Sequence, residues 1–346
     1  MPPDQPPPAV LVYGAYGHTG RFIVTELVAA GLRPVLSGRN RRQLEAEGAA
    51  RGGLEVRAAS LDEPGELEQA LEGVTAVVNA AGPFAFTVAP LVGAALRARV
   101  PYLDVAAETD VTASTVADYD TSATAAGIAL VPATGFYGGL GNLLATAAMG
   151  DWPEADEITL AYALDSWKPT PGTRATIAAG ALRREGRRLV FAHGRLELRA
   201  GEAPVSEWNF PAPLGKQVVV AEFTTADSVT MPRHLRTGAI LEYMTLASLK
   251  DLSDPDVPPP AATDARGRSD QTFLVEAVVR SGARQRSAHA RGRDIYAVSA
   301  PLLVEALKRV LHEPGRWRGV VTAAELGDAR SFLTALSPVH LEWELG

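Results

Sequence analysis

The stretch from Ala9 to Arg39, AVLVYGAYGHTGRFIVTELVAAGLRPVLSGR, constrains this chain more than any other. An apolar run turns through three evenly spaced glycines into an amphipathic segment and then into a second apolar run, the order of a nucleotide-binding βαβ unit. Ala9 to Tyr13 reads as a short buried strand. Thr19 to Ala30 places Phe22, Ile23, Leu27 and Ala30 at helical spacing, with Gly31 available to end the helix. The glycines are Gly14, Gly17 and Gly20, a G-x-x-G-x-x-G spacing in which Tyr16 stands where the commonest fingerprint has its second glycine. The chemistry survives that change. Gly14 makes the tight turn, Gly17 lets the backbone approach a pyrophosphate, and Gly20 lets the helix pack closely on the strand. The anion then meets a helix N-terminus, whose free N–H groups and dipole favour negative charge. Tyr16, His18 and Thr19 belong to the same expected binding turn.

The second strand, Pro34 to Ser37, runs into Ser37-Gly38-Arg39-Asn40-Arg41-Arg42. A site selecting NAD would present Asp or Glu here to the ribose 2′-hydroxyl, and there is no acid. Arg39 offers a planar, permanently charged donor fork suited to a 2′-phosphate, with Ser37 and Asn40 as further hydrogen-bonding candidates. The expected cofactor is therefore NADP. Arg41 and Arg42, at the start of a helix, read as a solvated face.

With 346 residues there is room for two domains, and 47% hydrophobic with 21% charged residues is ordinary for a globular chain. A net charge of -7 argues against a general nucleic-acid binder. The absence of cysteine excludes disulfides, thiolate metal sites and a cysteine nucleophile, and no histidine stands at ligand spacing from Asp104 or Glu108, so no metal is expected. The start, MPPDQPPP, lacks the basic and apolar parts of a signal peptide and reads as a disordered tail over residues 1–8. No apolar run approaches the roughly 18 residues of a transmembrane helix, and a cytoplasmic location is expected.

Beyond the first unit the βα alternation continues. Leu54 to Ala58, Val74 to Asn79, Pro101 to Val105 and Ile128 to Val131 read as strands, with helices between them. A Rossmann-type doubly wound parallel sheet over residues 9–134 follows, with ligands at the C-terminal ends of its strands. Ala80-Ala81-Gly82-Pro83-Phe84 is small enough for a cofactor to lie close. Asp62 reads either as a group approaching an adenine or as a helix N-cap, and Asp104 and Glu108 either as cleft residues or as structural caps. From Gly135 the pattern shifts to short alternating segments at Glu157 to Leu164, Arg188 to Ala192, Gln217 to Phe223, Ala239 to Leu246 and Thr272 to Arg280. These suggest an α+β substrate or dimerisation domain over residues 135–330 on a mostly antiparallel sheet, closed by a C-terminal segment at 331–346. In it Thr173 is placed to cap a helix running through Leu182.

The sequence resembles the saccharopine dehydrogenase-like family of NADP-dependent oxidoreductases. The blocks that carry the resemblance are VYGAYGHTGR, VLSGRN, NAAGPF, PYLDVAAE, VPATGFYGGLGNLLA and PGTRATIAAGALRREGRRLVF. It implies that Gly14, Gly17, Gly20 and Arg39 hold NADP, that Gly82, Pro83 and Phe84 line the nicotinamide end with Ala81 beside them, and that the second sheet serves a homodimer. Where members often have Gly-Phe-Asp, this chain has Gly135-Phe136-Tyr137, a departure that separates it from the usual amino-acid substrates, saccharopine included. The implied activity is hydride transfer between NADPH and a C=N, C=O or activated C=C of a small or lipid-like metabolite. Tyr137, Lys168 and His234 are the candidate proton donors; each has a structural alternative, in junction packing, a solvated loop and a turn respectively. A noncatalytic NADP-binding sensor or scaffold would keep the same glycine turn and Arg39.

Overall fold

The computed structural model describes residues 6–184 and 187–346, so residues 1–5 of the expected tail lie outside it. The first half alternates strand and helix: β1 (Ala9–Tyr13), α1 (His18–Ala29), β2 (Arg33–Gly38), α2 (Arg41–Ala50), β3 (Val56–Ala58), α3 (Pro64–Ala70), β4 (Ala76–Asn79), α4 (Phe84–Ala98), β5 (Tyr102–Asp104), α5 (Thr109–Ala126) and β6 (Ala129–Val131). β1 and β4 are buried along their whole length, which is why their sequences are unbroken apolar runs. α1 buries Gly20, Ile23, Val24 and Leu27 and leaves the rest of its surface to solvent or to later elements.

The second half comprises α6 (Leu140–Met149), β7 (Ala155–Leu164), α7 (Pro171–Arg184), β8 (Arg188–Ala192), β9 (Arg195–Arg199), β10 (Val205–Phe210), β11 (Gly215–Ala221), α8 (Asp227–Thr230) and β12 (Thr237–Thr245). Then follow α9 (Leu246–Ser253), β13 (Thr272–Ser281), β14 (Arg284–Arg293), α10 (Ile295–His312), β15 (Gly319–Val320), α11 (Ala329–Leu336) and β16 (Leu341–Leu345).

Two seven-stranded sheets result. The first has the order β15-β6-β5-β4-β1-β2-β3 with every pair parallel, so the strand order reverses between β1 and β4 and opens a crevice at their C-terminal ends. The second has the order β10-β11-β12-β7-β13-β14-β16 and is antiparallel except where β12 runs beside β7. Along β7, Ile158, Leu160, Tyr162 and Leu164 point into the core shared with α6, while Ala161 and Ala163 meet Phe210 and Leu274 on the opposite face.

Several features differ from the sequence reading, β9 and β10 among the strands it lacks. Thr170, not Thr173, caps α7: its Oγ1 accepts from the Thr173 N–H at 3.0 Å. β14 is a full ten-residue strand that the sequence hides, because RQRSAHARGR puts only Ala288 and Ala290 into the core. Gly319–Val320, inside the stretch read as the second domain, returns to pair with β6 at the edge of the first sheet. The sheets also share packing. One apolar core runs without a break from Val10, Ile23 and Leu27, through Val298, Leu302 and Leu303 of α10, to Val275 and Ala290 of the second sheet.

Candidate functional site

The crevice between β1 and β4 opens into a cleft of about 590 Å³. Its near end is made of backbone. Gly14 has φ +86°, and a Cβ there would come within 2.9 Å of the Ala81 Cβ. A Cβ on Gly20 would overlap the Gly14 carbonyl oxygen, so α1 can lie this close to the turn only with glycine at that position. The Gly17 N–H closes the turn on the Gly14 carbonyl at 2.9 Å. Gly17 is also the N-cap of α1, and no side chain caps the helix, so its first turn offers N–H groups to a ligand in the cleft. Gly14, Tyr16, Gly17, His18, Thr19 and Arg39 all line this end.

Tyr16 explains its own departure from the fingerprint. Its ring lies over Gly38, where a Cβ would sit 3.0 Å from Tyr16 Cε1, so the aromatic floors the approach to Arg39. The Arg39 side chain forms no ion pair among the described residues and is exposed. His18 packs edge-on between Phe22 and Tyr296, each at 5.3 Å between ring centres, and its buried Nε2 has no partner. Burial lowers its pKa, so the imidazole is neutral near pH 7. A cradle closed to side chains and an uncapped helix start fit a dinucleotide pyrophosphate, and an uncommitted guanidinium fits its 2′-phosphate.

The far end is built from side chains of both halves. Gly82, Pro83, Phe84 and Glu108 come from the first sheet's loops, and Phe136 and Tyr137 from the turn after β6. Trp167, Thr173 and Thr176 belong to the approach to α7 and its first turns, and Tyr296 and Ser299 to α10. At Gly82 the halves lie close, since a Cβ there would meet Thr176 Oγ1 at 3.2 Å. The turn carrying Tyr137 is pinned from both sides. Ser299 Oγ accepts from the Phe136 N–H at 3.0 Å, and the buried Asp227 carboxylate accepts from Gly138 N–H at 2.6 Å and Asn142 N–H at 2.8 Å. The Tyr137 ring packs edge-on or tilted against Phe136, Tyr162 and Trp167, yet its hydroxyl has no hydrogen-bond partner. Burial holds this phenol well above its ordinary pKa, with Tyr296, Asp227 and Glu242 adding to the effect, so it stays protonated.

The structure does not bring every expected residue here. Lys168 turns away to an ion pair with Asp270 at 2.9 Å, and its side chain is not on the cleft lining. His234 lies under α6, with Nε2 2.9 Å from Thr146 Oγ1, and is likewise off the lining. Tyr137 is thus the one of the three donor candidates that reaches the cleft. Ser37 is fully buried and meets the glycine turn through its carbonyl, which accepts from Gly14 N–H at 2.9 Å. Asn40 is spent as the cap of α2, accepting from Gln43 N–H at 3.1 Å. Asp62 is exposed, lines nothing, and does not cap α3, whose N-cap is Glu63. Asp104 is buried inside the sheet, where Ala106 N–H, Ala133 N–H and Tyr102 OH donate to it. Glu108 does reach the cleft, and so do Thr176, which lies in one of the blocks of the resemblance, and Tyr296 and Ser299, which no periodicity or motif flags. Among the described residues no three His, Asp or Glu side chains gather as metal ligands, and no helix is long and apolar enough to cross a membrane.

Comparison with known proteins bears on the near end of the cleft. A family model, the saccharopine dehydrogenase NADP binding domain, matches residues 10–131. No curated protein matches the sequence. Among solved structures, apo histidine-tagged saccharopine dehydrogenase (L-Glu forming) from Saccharomyces cerevisiae aligns with a TM-score of 0.67 at 12% identity, covering 98% of this chain and 100% of that one. Triphenylmethane reductase from Citrobacter sp., complexed with NADP(H), aligns over 29% of this chain and 38% of its own at 23% identity, with a TM-score of 0.25. Vestitone reductase from alfalfa (Medicago sativa L.) aligns over 28% of this chain and 35% of its own at 18% identity, with a TM-score of 0.25. The yeast match shows a shared two-domain fold. Residues 10–131 are an NADP-binding domain of the saccharopine dehydrogenase type, and the cofactor of this chain is NADP.

Proposed function

We propose that the protein is an NADP-dependent oxidoreductase acting on a C=N, C=O or activated C=C of a small or lipid-like metabolite. The observation that carries the reading is Tyr137, whose side chain lines a cleft continuous with the glycine turn and whose hydroxyl is buried, protonated and unpartnered. A buried hydroxyl left without a partner costs on the order of 1–3 kcal/mol, a cost that a bound acceptor would remove.

In this reading the Gly14–Gly17 turn and the start of α1 hold the pyrophosphate, and Arg39 holds the 2′-phosphate. Gly82 and Phe84 flank the nicotinamide. NADPH, when bound, supplies the hydride. Tyr137 hydrogen-bonds the substrate heteroatom and gives up its proton as negative charge develops there, while Phe136, Trp167 and Tyr296 keep water out. Fixing the turn from both Ser299 and Asp227 holds the hydroxyl ready at little reorganisation cost. The test is a screen of imines, ketones and enoyl thioesters followed by NADPH absorbance, repeated with Tyr137→Phe. A substrate turned over by the wild type and just as fast by the variant rejects the donor role.

The reading also includes a homodimer through the second sheet. Val205, Val218 and Leu345 lie exposed on its outer strands, and a second copy would cover them. Sedimentation as a monomer at micromolar concentration with cofactor present would count against this.

A further inference from the structure

From the charges around the far end of the cleft, and resting on the oxidoreductase reading above, we infer that the substrate is an organic cation with an apolar body and no carboxylate or phosphate. An ammonium nitrogen would be held by Glu108.

Glu108 stands at the N-cap of α5 and is 8% exposed on the cleft wall. Oε1 accepts from the Phe84 N–H at 3.0 Å, at the start of α4, and Oε2 accepts from the Ala107 N–H at 3.2 Å. Thr176 donates a third bond from the opposite half. A carboxylate has about four acceptor sites, so this set leaves one for a ligand. Two helix starts and three donors favour its charged form, although burial lifts its pKa above the ordinary carboxylate range. No Lys, Arg or His pairs with it among the described residues.

Cations near the far end are committed elsewhere. Lys168 is paired with Asp270, and the Arg174 guanidinium donates to the carbonyls of Asp254 and Val257. Among the described residues Arg39 is the one Lys or Arg on the lining. It follows β2, whereas Glu108 follows β5, three strands across the sheet, or about 14 Å at roughly 4.8 Å per strand. Among the described residues, nothing at the far end therefore offers a positive charge to an anionic substrate. A carboxylate placed there would face Glu108 as a like charge in a drying cleft. The remaining wall is aromatic, with Phe136 and Tyr137 at 4.9 Å and Tyr137 and Trp167 at 5.8 Å between ring centres. Aromatic faces beside a lone carboxylate suit a cation with an apolar body.

The experiment is calorimetric. NADPH is first titrated into the protein alone; no binding there removes the oxidoreductase reading and this inference with it. The NADPH-saturated protein is then titrated with 2-phenylethylammonium, 2-phenylethanol and phenylacetate, three probes of similar body and different charge. The expected order is ammonium tightest by about tenfold or more over the alcohol, and phenylacetate weakest, as one charged hydrogen bond predicts. Glu108→Gln, checked for folding by its NADPH affinity, should bring the ammonium down to the alcohol. With NADPH bound, an ammonium no tighter than the alcohol, a phenylacetate that binds as well as the ammonium, or no binding by any probe overturns the substrate class alone. The wild-type order decides the question even if the variant does not fold.

Discussion

The two ends of the cleft are made in different ways. The near end is backbone, shaped by glycines and a helix start that fall within one short run of chain; the far end is side chain, assembled from five separate stretches around Gly82–Phe84, Glu108, Phe136–Tyr137, Trp167–Thr176 and Tyr296–Ser299. A backbone site tolerates almost no change at its glycines and is indifferent to much else. A side-chain site can be re-specified one residue at a time. The contrast accounts for a cofactor end that a family model recognises within residues 10–131, whereas most of the far end's side chains lie beyond that stretch.

Mutations at the two ends should separate accordingly. The largest effect is expected from Gly20→Ala, because the added methyl meets the backbone carbonyl of Gly14 and no side chain can move aside. Strain of about 3 kcal/mol is expected, with NADPH affinity down more than a hundredfold by fluorescence titration. Near-normal affinity would break the view that the near end is rigid backbone. Tyr137→Phe comes next, with turnover down about a hundredfold and NADPH affinity unchanged, since a positioned general acid contributes roughly that much. A parallel loss of cofactor affinity would show that the two ends are not separable.

Arg39→Ala should weaken NADPH by about ten- to a hundredfold and hardly touch NADH, as expected for loss of one charged hydrogen-bonding partner. Equal losses would remove the 2′-phosphate assignment. A smaller effect concerns stability. Burial and the neighbouring Asp227 raise Glu242 from 4.5 to about 8, so its neutral form is the one the fold prefers. Its contribution is complete below about 4.5 and is lost as pH rises through about 8. The thermal midpoint of Glu242→Gln should therefore fall less between pH 5 and pH 8 than that of the wild type. The smallest effect is Lys168→Ala, which breaks a half-exposed ion pair off the lining and should change turnover by less than about twofold.

The same contrast explains what the sequence disclosed. The first sheet was legible because parallel strands buried on both faces are written as apolar runs, and the glycine turn because its function depends on residues close together in the chain. Tyr137 could be singled out because it stands where a motif changes. Glu108 was visible but ambiguous, since capping a helix and facing a cleft ask for the same residue type. Lys168 and His234 were misplaced for want of tertiary information: nothing local tells that Asp270, a hundred positions away, claims the lysine. Tyr296 and Ser299 sit on an ordinary amphipathic helix, and only packing turns that face toward the cleft. β14 escaped because a strand between two others can satisfy the core with a pair of alanines.

The unbroken core through α10 has a consequence for movement. Swinging the two sheets apart like the covers of a book would tear Val298, Leu302 and Leu303 from one side or the other and bring their apolar surface into water. The chain also passes between the sheets three times, before α6, into β15 and out toward α11 and β16, so no single hinge exists. Substrate and cofactor must then enter by a smaller displacement. Beyond Trp167, which is held in the shared core, the Thr170–Thr176 stretch is latched to Tyr296 by the hydroxyl of Thr173 at 3.0 Å and rests over Gly82. Widening the cleft at that end would cost one hydroxyl contact, whereas parting the walls would cost the whole core.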